Sequence, residues 1–374
     1  MSKKEKLPAP PDKVVVAMSG GVDSSVAAVL LVEQGFDVVG ITIKTYNYED
    51  VGGNITNESS CCSLDGINDA RLVADKFNFP HYVLDFSDSF KKEVIDNFVN
   101  EYLAGRTPNP CVICNRKIKW EELISKASVL GIDYIATGHF SKVRFDSVKN
   151  RYILSKGKDS NKDQSYALWG LNQELLSKTI FPLADLKKEE VRKLAEKFGL
   201  KNARKGESFE ICFVADNNYE RFLKEALPEL ERKVDGGEII FDGKIVGKHK
   251  GYPFYTIGQR KGVGKAFGEP VYVADIDPSS NTIRLGRESD LMHKSLIASK
   301  INLISVKDIV EDLKVIAKVR YKDNGNAATV KRYDSERIQV IFDEPKRAIT
   351  PGQSVVLYDG DDLVGGGVIE KAFD

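Results

Sequence analysis

Three consecutive valines, Val14 to Val16, run into Ser19-Gly20-Gly21-Val22-Asp23-Ser24-Ser25, and a helical pattern from Ser24 to Gln34 follows, closed by Gly35. Val14 to Met18 reads as a buried strand, so the glycines sit where a strand turns into a helix. Two glycines let the backbone turn tightly and expose N–H groups. The serine hydroxyls add donors, and the helix N-terminus adds positive potential. Together these make an anion cradle. Ordinary strand-to-helix turns also use glycine pairs and capping serines, so the glycines alone decide nothing. The whole string excludes more. It lacks the Gly-Lys-Ser/Thr ending of a Walker loop, which argues against γ-phosphoryl transfer, and it lacks the G-x-G-x-x-G spacing of a dinucleotide fold.

The same alternation continues. Asp37 to Ile43, His81 to Asp85 and Asp133 to Thr137 read as strands. Asn68 to Phe77, Phe90 to Leu103 and Asn115 to Leu130 read as helices, and Asp185 to Phe198 as a further amphipathic one. This order predicts an α/β fold with a doubly wound parallel sheet. From Gly236 onward the chain turns to short β-type runs with Asp242-Gly243 and Asp359-Gly360 turns. The expected units are a parallel-sheet domain over 1–216, a small central domain over 217–290 and a β-barrel-like domain over 291–374.

Lysine plus arginine equals aspartate plus glutamate, 55 against 55, so any nucleic acid must be held by local basic patches. Met1 to Pro11 lacks the apolar core of a signal peptide, and no run is long enough to span a bilayer. The cytoplasm is the expected compartment, with no membrane partner.

Five cysteines are too few for a disulfide scaffold and, in a reducing compartment, suggest catalysis or metal binding. Cys111-Val112-Ile113-Cys114 follows the proline-stiffened Arg106-Thr107-Pro108-Asn109-Pro110. Cys114 is expected at a helix start near Arg116, Lys117 and Lys119, where cations lower a thiol pKa. Cys212, flanked by apolar residues, reads on its own as a packing residue. Cys61 and Cys62 are adjacent and point to opposite faces of an extended segment, so a zinc site from Cys61, Cys62, Cys111 and Cys114 would be strained. Gly138-His139 follows a strand end, where ligands gather in such sheets. A small residue there lets a nucleotide approach. A turn glycine and a packing histidine are the plainer alternatives.

The loop string resembles the SGGxDS signature of the PP-loop ATP pyrophosphatases. Over nearly its whole length the chain resembles the tRNA-specific 2-thiouridylase family. The resemblance rests on Ala17 to Ser25, Arg106 to Pro110, Ala136 to Phe140, Lys162 to Tyr166, Glu210 to Phe213, His249 to Gly251, Tyr255 to Gly262 and Thr350 to Gln353, in that order.

That resemblance implies an enzyme that cleaves ATP between its α and β phosphates and adenylates O2 of the wobble uridine in tRNA. Cys212 would carry a persulfide sulfur from an upstream donor protein. Cys114 would be the nucleophile and form a transient disulfide with Cys212. ATP would lie against Ala17, Met18, Ser19, Gly20, Gly21, Val22, Asp23, Ser24, Ile43 and Gly138. Asp23 would help hold Mg²⁺, a hard ion suited to aspartate oxygen. Asn109, Pro110, Cys111, His139, Lys162, Asp163, Gln164, Arg320, Tyr321 and Gln353 would touch tRNA, with Tyr321 suited to stack on an unpaired base. Lys162, Arg320 and Lys322 also read as ordinary solvated charge. Many family members carry aspartate where this chain has Cys111, and often methionine where it has Ile43. Cys111, Cys114 and Cys212 thus form a three-thiolate set that could hold an iron–sulfur cluster; the persulfide route is the favoured expectation.

Overall fold

The computed structural model describes residues 8–46, 64–206, 211–214, 216–263 and 267–374. The apolar runs at the start of the chain build its first sheet. β1 (Lys13–Ala17), β2 (Asp37–Lys44), β3 (His81–Asp85), β4 (Tyr134–Thr137) and β7 (Thr179–Ile180) lie in the order β3-β2-β1-β4-β7, all pairings parallel. Successive residues of β1 face opposite sides. Val15 therefore joins a core with Val39, Ile41, Phe90 and Trp120, and Val14 and Val16 join one with Val26, Val29 and Val191. The second core lies under α1 (Val22–Glu33), α2 (Leu64–Lys76) and α8 (Lys188–Lys197). The strand order reverses between β1 and β4, which opens a crevice beyond their carboxyl ends.

On the other face, α3 (Ser87–Phe90) continues through a π-helical turn, Lys91–Ile95, into α4 (Asp96–Leu103). Likewise α5 (Pro110–Cys114) continues through π-helical Asn115–Glu122 into α6 (Leu123–Val129). The helix expected from Asn115 therefore begins at Pro110. Pro110 does more than stiffen a loop: proline is favoured at the first helical position because its missing N–H has no partner there anyway.

A hairpin of β5 (Ser141–Asp146) and β6 (Arg151–Lys156) leaves the first sheet and joins the barrel, β6 meeting β17 at Ser155–Asp362. The barrel consists of β12 (Met292–Leu303), β13 (Leu313–Lys318), β14 (Asn326–Arg332), β15 (Ile338–Arg347), β16 (Ser354–Asp359) and β17 (Asp362–Phe373). Its order is β12-β15-β14-β13-β16-β17, closed by β12 on β17. Closure removes the edges that an open antiparallel sheet would expose. Between the two lie α9 (Tyr219–Ala226), α10 (Leu230–Val234) and a sheet of β8 (Gly237–Phe241), β9 (Lys244–His249), β10 (Tyr272–Asp277) and β11 (Thr282–Gly286).

Polar side chains lock the barrel to the first unit. Arg151 donates to the Leu303 and Ile304 carbonyls, and Gln173, on α7 (Gln173–Ser177), donates to the Ile304 carbonyl. Asn302 donates to those of Trp169 and Leu171. Trp169 Nε1 bonds Ser354 Oγ at 2.9 Å, and a Cβ at Gly366 would sit 2.8 Å from the Trp169 ring. Among the described residues no helix is long and apolar enough to cross a membrane.

Candidate active site

The loop after β1 is shaped from within. Gly20 has φ +71°, and a Cβ there would lie 2.1 Å from the Gly66 carbonyl oxygen on α2, so only glycine fits. Gly21 caps α1. Ser24 Oγ and Ser25 Oγ both donate to the Gly21 carbonyl, at 3.1 and 2.9 Å. Asn202, buried, donates to the Gly20 carbonyl at 3.0 Å and to Ser25 Oγ at 2.9 Å. The hydroxyls of Ser24 and Ser25 thus hold the loop's shape, and their hydrogens are already committed. The anion donors are the first-turn N–H groups of α1, which have no carbonyl one turn back.

Gly138 also serves packing. A Cβ there would lie 2.6 Å from Ser24 N and 2.7 Å from the Asp23 carbonyl carbon, so its missing side chain admits α1 to the end of β4. Met18, Val22 and Ile43 are buried core residues, and Ala17 is half-buried. The Met18 N–H bonds the Ile41 carbonyl, and its own carbonyl accepts from Thr42. Asp23, in the first turn of α1, is gripped by Lys188 Nζ at 2.6 and 2.7 Å, one bond to each oxygen.

Cys111 is exposed; Cys114 and Cys212 are half-buried. Cys111 is the second residue of α5 and Cys114 the last, so the helix dipole acts more strongly on Cys111 than on Cys114. Arg116 and Lys117 both bind Glu121, each at 2.8 Å, so two of the cations expected to acidify Cys114 are already shared with a carboxylate. Cys212 is held from both sides. Its carbonyl accepts from the Tyr46 hydroxyl at 2.8 Å, just beyond β2, and its neighbour Phe213 stacks edge-on against Phe90 and Phe98. Cys114 and Cys212 pack on the same apolar cluster.

Among the described residues no three His, Cys, Asp or Glu side chains converge as metal ligands. Cys111, Cys114 and Cys212 are therefore not gathered around one ion. Asp23 fits only a Mg²⁺ ion whose other ligands come from phosphate and water. Cys61 and Cys62 lie outside the described residues.

The family model described as tRNA methyl transferase HUP domain matches residues 12–216. The tRNA methyl transferase PRC-barrel domain model matches 220–287, and the aminomethyltransferase beta-barrel domain model matches 293–369. The tRNA-specific 2-thiouridylase MnmA of Salinibacter ruber is 52% identical over 96% of this chain and 94% of its own. That of Cytophaga hutchinsonii is 50% identical over 96% and 98%. The chain belongs to the tRNA-specific 2-thiouridylase family. A solved 4-thiouridine synthetase–RNA complex with bound ATP aligns at TM-score 0.38 and 16% identity, over 59% of this chain and 52% of that one, too weakly to bear on the site.

Most positions matched to tRNA contacts in the 2-thiouridylase family come together on one surface. Asn109 caps α5 and lies beside the Tyr166 hydroxyl, which donates to the Ser354 carbonyl at 2.9 Å. The Tyr166 ring meets Tyr321 edge-on at 6.0 Å, and the Tyr321 hydroxyl donates to the Asp163 carbonyl at 3.1 Å. Cys111, Arg320, Tyr321 and Lys322 are exposed there, Lys162 is half-buried, and Pro110 is buried. Asp163 and Gln164 turn inward. The Asp163 carboxylate accepts from Gly157 N, Ser165 N and Ser165 Oγ, and Gln164 Oε1 accepts from Phe140 N. Burial raises the Asp163 carboxyl above its ordinary pKa. Gln353 holds the Thr107 and Pro108 carbonyls. His139 stands apart, its Nδ1 2.7 Å from Thr137 Oγ1 and its ring 5.6 Å from Trp120. Burial, with Lys119 adding to it, pushes its pKa down to about 3, which keeps the imidazole neutral.

Three residues escape the sequence reading: Lys188, Asn202 and Tyr46. Lys188 opens an amphipathic helix and reads there as surface charge. Only the tertiary contact with Asp23 distinguishes it.

Proposed function

We propose that the chain is an ATP-dependent tRNA sulfurtransferase that converts the wobble uridine of tRNA to 2-thiouridine in the cytoplasm. The observation that carries this is an anion loop between β1 and α1 together with two half-buried cysteines, Cys114 and Cys212, packed on one apolar cluster of the same unit, Cys212 held by Tyr46 just beyond β2. Residues 1–216 would do the chemistry, and the barrel over 291–374 would hold tRNA beside the small unit over 217–290.

The uridine O2 attacks the α-phosphorus of ATP. The bond from that phosphorus to the bridging oxygen breaks, and pyrophosphate leaves with the electron pair. First-turn N–H groups of α1 hold the phosphates. A nucleotide-borne Mg²⁺ would find its protein carboxylate in Asp23 and neutralise charge there. The terminal sulfur of a Cys212 persulfide, loaded by a donor protein, then attacks C2, and AMP departs with the original oxygen. The Cys114 thiolate attacks Cys212 Sγ. The sulfur–sulfur bond breaks toward the nucleoside, which leaves 2-thiouridine and a Cys114–Cys212 disulfide for a cellular thiol to reduce.

The test is the purified chain with ATP, tRNA and a persulfide donor. AMP, pyrophosphate and an oxygen-for-sulfur mass change in the tRNA are expected. ADP, a nitrogen-containing product, or the methyl mass that the family models' description suggests would overturn the reading.

A further inference from the structure

The turn between β13 and β14 carries Arg320, Tyr321 and Lys322, all exposed. Lys318 precedes them, and among the described residues Lys318, Arg320 and Lys322 make no ion pair. Like charges this close repel, so the turn needs something else to hold its shape. Asp323 supplies it. Its carboxylate accepts from the Val319 and Gly325 N–H groups, each at 3.0 Å, and its own N–H donates to the Arg320 carbonyl at 3.1 Å. From β15, on the far side of β14, Lys346 Nζ donates to the same carboxylate at 2.6 Å and also to Asn326 Oδ1. The Asp323 and Lys346 side chains are only 6% and 12% exposed. Burial pushes the Asp323 carboxyl up, but the bonds from Lys346, Val319 and Gly325 outweigh it and hold the group below its ordinary pKa.

Stability alone does not explain this pair. A buried ion pair is generally no more stabilising than apolar side chains of the same volume, but it accepts a far narrower geometry. Here that geometry fixes both ends of the turn, Val319 and Gly325, at once. The Tyr321 hydroxyl, bonded to the Asp163 carbonyl at 3.1 Å, then ties the tip of the turn to the first unit. We propose that Asp323 and Lys346 are positioning residues for tRNA, a buried ion pair that presents Arg320 and Tyr321 in their binding geometry before the RNA arrives. This rests on the reading that Arg320 and Tyr321 touch tRNA. Neither Asp323 nor Lys346 meets the RNA itself. The pair acts by removing part of the cost of ordering the turn on binding.

The test is filter binding of tRNA to the full chain at several salt concentrations, with calorimetric titration of ATP alongside. Asp323→Asn keeps the size of the side chain and removes a negative charge beside the RNA. Charge alone predicts that this variant binds tRNA more tightly. Loss of the turn's geometry predicts weaker binding, by about tenfold, the scale of ordering one or two side chains on association. The weaker binding is expected, with ATP affinity at the wild-type value. Lys346→Met should weaken tRNA binding to a similar degree and leave its salt slope unchanged, because no phosphate contact is lost, and Lys346→Arg should keep most of the affinity. Changing Arg320 and Tyr321 together to alanine should instead lower the slope by about one. Wild-type or tighter tRNA binding by a folded Asp323→Asn would overturn the proposal. So would wild-type affinity in Lys346→Met, or a slope there that falls by about one, which would make Lys346 a phosphate contact. A parallel loss of ATP affinity would mark general damage to the chain and overturn it too. If Asp323→Asn fails to fold by thermal melting, Lys346→Met decides alone. Wild-type affinity and slope in the Arg320 and Tyr321 double variant would instead sink the reading that the turn touches RNA.

Discussion

Gln353 donates its side-chain amide to two backbone carbonyls across the molecule, Thr107 at 3.2 Å and Pro108 at 2.9 Å. The same barrel turn closes further on that loop. Thr107 N–H donates to the Pro351 carbonyl at 2.9 Å, and a Cβ on Gly352, at φ +88°, would come within 2.7 Å of the Thr107 oxygen. The loop so clamped ends at Asn109, the cap of the helix that carries Cys111 and Cys114. The barrel therefore fixes the first turn of the helix that bears the proposed nucleophile, Cys114.

Removing that clamp should separate two steps. Gln353→Leu leaves two carbonyls without their side-chain donor, at about 1–3 kcal/mol for a buried group left unsatisfied, and loosens the α5 cap. Sulfur transfer to tRNA should fall, and ATP affinity measured without tRNA should stay at the wild-type value. Single-turnover assays of tRNA thiolation beside ATP titrations read both. Equal losses in the two would mean that the barrel supports the whole first unit.

The surface formed by Tyr321, Arg320 and Cys111 should bind tRNA through few charges, since the chain as a whole is neutral. Changing Arg320 and Tyr321 together to alanine should weaken tRNA binding, reduce its dependence on salt by about one unit of slope per lost phosphate contact, and spare ATP binding. Filter binding at several salt concentrations tests this. Unchanged affinity and slope would remove the barrel from the RNA interface.

His139 should leave a signature in acid. Its folded pKa, about 3, lies below its ordinary value of 6.5, so between these the unfolded chain binds a proton that the folded chain does not. Stability is unaffected above pH 6.5, falls as pH drops through that window, and levels off below about pH 3. His139→Gln should flatten this limb in urea melts from pH 7 to 4. A limb of unchanged steepness would mean that the imidazole protonates within the fold.

Much of the first sheet was legible because its inner strands β1, β2 and β4 are short apolar runs bounded by turn residues, and the sheet buries those runs on both faces. The loop after β1 was legible because its glycines have a backbone reason that spacing reveals. What escaped depends on distant contacts. The β5–β6 hairpin completes its pairing only on β17, and Asp23 meets a lysine 165 residues away. Proline's favour for a helix start was outweighed in the reading by its usual loop role, which placed Cys114 at the start of a helix it stands within. The reverse happened with Cys212. Its apolar neighbours suggested plain packing, and Phe213 does pack, but that packing is what holds the Cys212 backbone in place.

The cysteines give the most direct test of the chemistry. In the persulfide route Cys212 holds the sulfur and Cys114 resolves it, so Cys114→Ser and Cys212→Ser should each stop thiolation. Both should still release pyrophosphate in the presence of tRNA, because activation precedes sulfur transfer. Cys111 is exposed on the first turn of α5, and the family resemblance leads us to expect that aspartate is tolerated there. Cys111→Ser should therefore keep substantial activity, and Cys111→Asp more still. Cys114→Ser should also trap sulfur on Cys212 or on the tRNA, visible by mass spectrometry as a thiol-labile adduct, whereas Cys212→Ser should show none. Were Cys111 a third thiolate ligand, Cys111→Ser would be as inactive as the other two, and anaerobically purified wild type would carry iron. An inactive but folded Cys111→Ser together with bound iron would reject the persulfide route and leave tRNA thiolation itself in place.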